Sequence, residues 1–248
     1  MPTPDAVGLE MLRLARVTAD DVVYDLGSGD GRLVIEAARV FGARGVGVEI
    51  EPQLVQQSRE NALKAGVAER ARFLWQDLFE TDLRGVTVVT LYLRADVNLK
   101  LRPKLLRELR PGTRVVSHDF GMADWEPDRT VRVRGPDREH RVLLWTVPAS
   151  VDGAWTLQIE RPGAGPVRLL ARQRFQRFDG TLDTPEGALP VIDGRVEGAR
   201  VEFRAAGAGG SAMLFTGRVT ADRAEGTVDM VLAGGALRSY RWTAIRTP

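Results

Sequence analysis

A glycine-rich loop follows the first apolar run of this 248-residue chain. The run Val22-Val23-Tyr24 leads into Asp25-Leu26-Gly27-Ser28-Gly29-Asp30-Gly31, and a helix-like segment begins at Arg32. Glycine tolerates positive φ and has no Cβ, so this loop can turn sharply out of a strand and bring a helix N-terminus close to a nucleotide-type ligand. The loop therefore predicts a nucleoside-binding site at the end of the first strand.

The spacing of the glycines argues against a dinucleotide. In a dinucleotide fingerprint two residues separate the second glycine from the third, but here Arg32 stands at the third position and Gly31 comes one residue early. Asp25 and Asp30 would repel a pyrophosphate, whereas they suit the cationic amino-acid end of a ligand. The loop thus favours S-adenosylmethionine.

Polar and aromatic residues also follow the later strands, where a doubly wound sheet binds its ligand. The nucleoside would use two of these strand ends. Glu49, about twenty residues after the loop, could accept the ribose hydroxyls beside Ile50, and Asp77 could accept the adenine amino group beside Leu78. A carboxylate such as Asp77 is also typical of a helix cap or a turn.

Two further strand ends would border the transferred group. The first carries Tyr92, and the second carries His118 and Asp119. These three residues are the candidate catalytic residues. Taken alone, Tyr92 could equally be sheet packing, and His118 could be a buried histidine with its hydrogen bonds satisfied.

Short β-branched runs alternate with longer amphipathic stretches from Asp21 to about Gly121, which is typical of βαβ units. The predicted strands are 22–26, 45–50, 71–76, 86–92 and 114–118, and the predicted helices are 32–41, 52–65 and 97–109, with a further helical face near Leu9 to Ala15. Two later strands, 131–134 and 142–147, would form a hairpin that completes the sheet with an antiparallel edge. We therefore expect an α/β fold with a Rossmann-like, seven-stranded doubly wound sheet over residues 1–148.

Residues 149–248 change character and need no helix. Short alternating segments are separated by glycine-rich turns, among them the stretch 207–210. Inward positions such as Phe203, Phe215 and Trp242 predict six to eight antiparallel strands in a small all-β barrel or sandwich. Two roles stay open for residues 149–248: they could bind a substrate, or they could form a purely architectural or dimerising module.

Composition bounds the partners and the compartment. Apolar residues make up 44% and charged residues 27% of the chain, and no apolar run approaches the roughly 20 residues that span a bilayer. With no secretory leader visible, we expect a cytoplasmic protein without membrane insertion. Cysteine is absent and the two histidines are distant in sequence, so no metal site is expected. The net charge of +2 and scattered arginines indicate no nucleic-acid partner.

Residues 2 to about 128 resemble the class I S-adenosylmethionine-dependent methyltransferases, and within them the protein-lysine methyltransferases of the archaeal and ATP synthase c-subunit type. The segments that carry the resemblance are Pro2-Thr3-Pro4, the loop from Tyr24 to Arg32, Gly47-Val48-Glu49-Ile50, Asp77-Leu78-Phe79, Thr90-Leu91-Tyr92-Leu93 with Asn98, and Arg102-Pro103-Lys104-Leu105 leading to Pro111–Ser117. An Asn-Pro-Pro-Tyr motif, the mark of methylation on bases and glutamine, is absent, and Leu91-Tyr92-Leu93 stands in its place.

The resemblance implies a role for each matching residue. Asp25, Gly27, Gly29 and Asp30 would line the methionine end of S-adenosylmethionine, with Glu49 at the ribose and Asp77 at the adenine. Ser28, in the same loop, is a further candidate cofactor-binding residue. The expected activity is in-line methyl transfer to a protein lysine amine, which leaves S-adenosyl-L-homocysteine as the product. A small-molecule acceptor is the alternative within the same chemistry. A non-catalytic scaffold that binds S-adenosylmethionine is the alternative outside it.

Overall fold

The computed structural model describes residues 2–206, 212–231 and 235–247. The chain forms two compact units, Met1–Val147 and Pro148–Pro248. The turn expected at 207–210 lies outside the described residues.

A seven-stranded sheet with order β3-β2-β1-β4-β5-β7-β6 organises the described residues of the first unit. Its strands are β1 Val22–Leu26, β2 Arg44–Glu49, β3 Ala71–Trp75, β4 Val88–Leu91, β5 Arg114–His118, β6 Arg129–Arg134 and β7 Glu139–Thr146. Its helices are α1 Asp5–Leu14, α2 Arg32–Phe41, α3 Pro52–Lys64 and α4 Ala95–Glu108. The expected Rossmann-like sheet is confirmed.

The strand order reverses between β1 and β4, both of which run parallel to their neighbours. β4 is buried along its whole length, which suits a central parallel strand covered on both faces. At such a reversal the connections leave the two strands in opposite directions, and a crevice opens at their carboxyl ends. The glycine-rich loop leaves β1 at this crevice.

The hairpin at the end of the unit completes the sheet with an antiparallel edge, as expected. Its second strand, β7, lies between β5 and β6, so β6 is the edge strand. Residues Val142 to Trp145 of β7 are buried, whereas Arg129 and Arg134 of β6 are exposed. Burying the more apolar strand is favourable, and charged side chains on the outer strand discourage pairing with another chain.

The second unit is a closed antiparallel barrel in which each strand pairs with the next and the last pairs with the first. The strands are β8 Gly153–Ile159, β9 Val167–Arg174, β10 Arg177–Thr184, β11 Gly187–Glu197, β12 Arg200–Ala206, β13 Ala212–Thr220, β14 Arg223–Val231 and β15 Leu237–Thr247. Because the strands close into a ring, the second unit is a barrel and not a sandwich.

Aromatic side chains fill the interior of the barrel. Phe203 stacks on Phe215 with ring centroids 4.5 Å apart, and Phe178 and Trp242 meet this pair edge-on. All four side chains are buried, as expected for inward positions of a small barrel. The interior is therefore a packed core.

Helix α1 packs against α2 and against β5, β6 and β7, so it covers the sheet on that side. Within the described residues, the helices are too short or too polar to cross a membrane.

Candidate active site

A cavity of about 380 Å³ lies beside the carboxyl end of β1. Six of the residues predicted from the sequence line it: Asp25, Gly27, Ser28, Gly29, Asp30 and Tyr92. Pro2 and Thr3, which precede α1, form part of its wall. The cavity therefore joins the loop after β1 to the end of β4 and to the N-terminal segment.

Backbone hydrogen bonds hold the glycine-rich loop against β2. The amides of Gly27 and Ser28 donate to the carbonyl oxygen of Val48 at 2.8 and 3.0 Å, and the amide of Gly29 donates to Glu49 Oε2 at 2.8 Å. A Cβ at Gly29 would meet no atom within 4 Å, although its φ of +54° is left-handed. The backbone at Gly29 thus borders open space.

Gly31 is required for a different reason. It precedes α2 with a φ of +81°, and a Cβ there would lie 2.6 Å from the ring of Phe73 and 2.9 Å from Ser58 Cβ. Only glycine combines this left-handed conformation with so close an approach. The close packing fixes the direction in which α2 leaves the loop.

Glu49 ends β2 with its carboxylate already oriented. Oε2 accepts from Gly29 N, and Oε1 accepts from the amides of Ile50 and Glu51 at 2.9 and 3.1 Å. The residue is only 9% exposed. Such a carboxylate holds one position beside the loop, as a ribose-binding acceptor must.

Asp25 is the most electrostatically perturbed carboxyl group at the cavity. Burial raises its pKa to about 7; the nearby carboxylates Glu49 and Asp30 act in the same direction, while a hydrogen bond from the Thr90 hydroxyl to Oδ1 at 2.7 Å opposes the shift. The group stands at the boundary of its two charge states near neutral pH. A cation placed beside it would favour the ionised form.

The pKa of Asp30 is shifted in the opposite direction to that of Asp25. Hydrogen bonds from the Arg32 guanidinium to both carboxylate oxygens lower the pKa of Asp30 below its usual value, although partial burial acts against them. Arg32 also donates to the carbonyl oxygen of Thr3 at 3.1 Å. The ionised Asp30 and the N-terminal segment are thus held by one arginine.

Tyr92 faces the cavity at the end of β4, and its ring stacks on His118 with centroids 4.0 Å apart and planes 24° apart. His118 is fully buried, and its Nδ1 lies 3.1 Å from the buried Thr3 hydroxyl. Burial lowers the pKa of His118 to about 4, so its imidazole is neutral at pH 7. His118 supports Tyr92 and Thr3 from behind the cavity wall.

Asp119 lies beside His118 with a left-handed φ of 61°, and both oxygens of its carboxylate accept hydrogen bonds. Oδ1 accepts from the amide of Arg141 at 2.8 Å, and Oδ2 accepts from the Arg138 guanidinium at 2.5 Å. Burial alone would raise the pKa of Asp119, but these hydrogen bonds outweigh it and lower the pKa to about 2. Of the three predicted catalytic residues, Tyr92 lines this cavity, and His118 and Asp119 do not.

His140 is a member of this cluster that the sequence analysis did not single out. It is 2% exposed, and its Nδ1 lies 2.9 Å from His118 Nε2. The two residues are 22 positions apart, and only the pairing of β7 with β5 brings them together. A prediction that β7 pairs with β5 would have shown that the two histidines lie close together.

Ile50, expected beside the ribose, and Asp77 and Leu78, expected at the adenine, do not line this cavity. Ile50 is 60% exposed beside Trp75, whose indole donates to the Ile50 carbonyl oxygen at 3.0 Å. Asp77 Oδ1 accepts from Phe79 N at 2.8 Å, which closes a local turn that includes Leu78. The cofactor contacts expected of Ile50 near the ribose, and of Asp77 and Leu78 at the adenine, therefore stay predictions.

The cavity fits the amino-acid end of S-adenosylmethionine on its own chemistry. The carboxylates of Asp25 and Asp30 suit an ammonium group, and the Ser28 hydroxyl is a buried polar group without a hydrogen-bond partner among the described residues. Gly29 leaves room for a ligand to approach the backbone. A cationic ligand with polar groups at this end would satisfy all of these features.

Known proteins are similar to part of this chain. The ANTKMT methyltransferase domain family matches residues 25–129. A protein-lysine N-methyltransferase from Saccharolobus islandicus (strain REY15A) is 44% identical over 148 residues, which cover 59% of this chain and 92% of that protein. An ATP synthase c-subunit lysine N-methyltransferase from Homo sapiens is 38% identical over 48% of this chain, but the match spans only 49% of that protein.

A solved structure adds the cofactor. It is described as an RNA methyltransferase from Salinibacter ruber in complex with S-adenosyl-L-homocysteine, and it is 56% identical, with a TM-score of 0.58. The match covers 61% of this chain and 96% of that one. The oriented Glu49 and the carboxylate-lined cavity agree with these similarities. The 44% identity over 92% of the Saccharolobus islandicus protein establishes that this chain belongs to the same family of S-adenosylmethionine-dependent methyltransferases.

Proposed function

We propose that this enzyme transfers the methyl group of S-adenosylmethionine to the side-chain amine of lysine in a protein. The observation that carries the proposal is the 44% identity to a protein-lysine N-methyltransferase over 92% of that protein's length. The carboxylates at the cavity support it, because they attract a cationic ligand and repel a phosphate backbone.

When bound, the cofactor supplies a methyl group on a positively charged sulfur. That sulfur is the leaving group when a neutral amine attacks the methyl carbon in line. The protein's part is to hold the donor, align the acceptor and exclude water. In the proposed assignment, Asp25 and Asp30 bind the amino group and Glu49 accepts the ribose hydroxyls. Their positions are held by Thr90, Arg32 and the loop amides.

Tyr92 is the proposed wall of the acceptor site, and His118 and Asp119 are proposed to position it. A lysine amine has a pKa near 10.4 in water, so most of it is protonated at pH 7 and cannot attack. Entry into a site that excludes water favours the neutral amine. The Tyr92 ring, which stacks on the buried His118 ring, presents an apolar surface of this kind to the cavity. The cytoplasmic location expected from the sequence is also part of the proposal.

A transfer assay tests the acceptor. Wild-type protein is incubated with tritiated S-adenosylmethionine and a cell lysate, and the labelled products are divided by proteinase and nuclease digestion. We expect label in protein, released by acid hydrolysis as methyl-lysine, and none with the Glu49→Ala variant. Label that enters only small molecules would contradict the proposal.

RNA is the second candidate acceptor. The Salinibacter ruber structure that is 56% identical is described as an RNA methyltransferase. Label removed by nuclease but not by proteinase would favour this candidate over lysine.

A further inference from the structure

Three polar side chains behind Tyr92 point their ligand-type atoms at one another. His118 Nε2 lies 2.9 Å from His140 Nδ1 and 3.3 Å from Asp119 Oδ2, and His140 Nδ1 lies 3.4 Å from the same oxygen. Two imidazole nitrogens and a carboxylate oxygen are a common donor set for zinc and related divalent ions.

The spacing of these atoms can be compared with that of a tetrahedral ion. Zinc binds nitrogen and oxygen ligands at about 2.0 to 2.2 Å, which places neighbouring ligand atoms about 3.3 Å apart. The observed separations of 2.9, 3.3 and 3.4 Å bracket this value. One ion can therefore contact all three atoms without a large movement of any side chain.

The other nitrogen of each imidazole has its own partner. His118 Nδ1 lies 3.1 Å from Thr3 Oγ1, and His140 Nε2 lies 3.1 Å from Asp137 Oδ1. A hydroxyl or carboxylate at the far nitrogen fixes the orientation of a ring, and metal-binding histidines usually have such a partner. Both rings are thus oriented from outside the cluster.

Asp119 is oriented in the same way by neighbouring groups. Oδ1 accepts from Arg141 N, and Oδ2, the ligand-type atom, also accepts from Arg138. The Arg138 side chain is about half exposed and approaches from the solvent side, where the Asp119 side chain is 11% exposed. A carboxylate oxygen has more than one acceptor position, so Oδ2 can bind an ion while it accepts from Arg138.

We propose that His118, Asp119 and His140 form a binding site for a divalent transition-metal ion of the zinc class. The site would join the end of β5 to β7 and hold the His118 ring against which Tyr92 stacks. Its role is to stabilise the wall beside the cofactor cavity, and it does not depend on which acceptor is methylated.

The alternative to a metal site is a metal-free hydrogen bond between His118 Nε2 and His140 Nδ1. The hydrogen-bonded and metal-bound states of the cluster differ by one proton. In the hydrogen bond, one of these nitrogens carries a proton; with an ion bound, both are deprotonated and coordinate the metal. The chain has two histidines and no cysteine, so every imidazole signal comes from this cluster.

The test uses full-length protein without a histidine tag, stripped of metal with EDTA and titrated with Zn²⁺ or Co²⁺. We expect one equivalent to bind, a tetrahedral Co²⁺ absorption spectrum, and side-chain ¹⁵N signals showing coordination through Nε2 of His118 and Nδ1 of His140. Failure to bind one equivalent, or binding that leaves both histidine spectra unchanged, would overturn the proposal.

Variants check the assignment in proteins whose folding is verified by circular dichroism. His140→Gln should abolish stoichiometric binding, and Asp137→Asn should weaken Zn²⁺ affinity by about 10- to 100-fold because it removes the partner of His140 Nε2. Asp179→Asn, an exposed acidic position of the barrel, is the control and should bind like wild type. Equal affinity in His140→Gln and wild type would contradict the proposed ligand set.

Discussion

Cofactor binding should depend on pH through Asp25. Burial raises the pKa of this carboxyl to about 7, so the group is about one-tenth ionised at pH 6 and about nine-tenths ionised at pH 8. Its proposed partner is an ammonium group, which needs the carboxylate. We therefore expect the Kd for S-adenosyl-L-homocysteine to fall about tenfold between pH 6 and pH 8.

The pKa of Asp25 can be changed by removing its hydrogen bond from Thr90. This hydrogen bond lowers the pKa of Asp25 against the larger effect of burial, and Thr90→Val removes it. The pKa of Asp25 should then rise, and the binding profile should move to higher pH. At pH 7 the variant should bind several-fold more weakly than wild type, with the difference shrinking as the pH increases.

Isothermal titration calorimetry from pH 6 to pH 9 measures both profiles. The ligand has ionisable groups of its own, but their titration is the same for every variant, so the shift between variants reports on Asp25. Thr113→Val is the matched control, because it also removes one buried hydroxyl, which donates to the Val86 carbonyl oxygen before β5 begins. A flat profile in wild type, or the same midpoint in Thr90→Val, would refute the reasoning.

Three further predictions concern stability and turnover. Because the pKa of Asp25 is higher in the folded than in the unfolded protein, where it is near 3.9, the free energy of unfolding should fall as pH rises from about 4 to 7. Asp25→Asn should therefore stabilise the ligand-free protein by about 4 kcal/mol at pH 8, which is about 1.36 kcal/mol for each of about three pKa units, and by less at pH 5, while calorimetry detects no cofactor binding; equal effects at both pH values would contradict this. Tyr92→Ala, which removes the ring that forms the proposed wall of the acceptor site, should lower kcat several-fold in steady-state assays with little change in cofactor Kd, and a reversed pattern would place Tyr92 in cofactor binding instead. Gly31→Ala should unfold at lower urea than Gly85→Ala, because both glycines have a φ above 80° but only a Cβ at Gly31 meets Phe73; the difference should be about 1 to 3 kcal/mol, and equal midpoints would show that Phe73 moves aside freely.

The features that the sequence predicts well are local. The loop from Asp25 to Gly31 and the position of Glu49 depend on spacing within one βαβ unit, and the structure places Glu49 against the loop. α2 and the strands at 22–26 and 114–118 have the predicted bounds, because turn residues and apolar runs mark their ends. Gly42, with a left-handed φ of +71°, follows Phe41 and is a glycine stop signal of the kind that a sequence shows directly.

The features that the sequence does not reveal depend on contacts between distant segments. The position of β7 inside the sheet, and with it the meeting of His140 and His118, follows from pairing across more than 20 residues. Closure of the barrel likewise requires β15 to pair with β8. The expectation of no metal site rested on the sequence distance between the histidines, which the sheet removes.

The most direct test of lysine methylation is amino-acid analysis of the acceptor. Protein from a lysate treated with the wild-type enzyme and tritiated S-adenosylmethionine is hydrolysed, and the radioactive amino acids are separated beside methyl-lysine standards. We predict that the label elutes with methyl-lysine and is absent after treatment with Glu49→Ala. Label recovered in nucleosides, with none in methyl-lysine, would contradict the account.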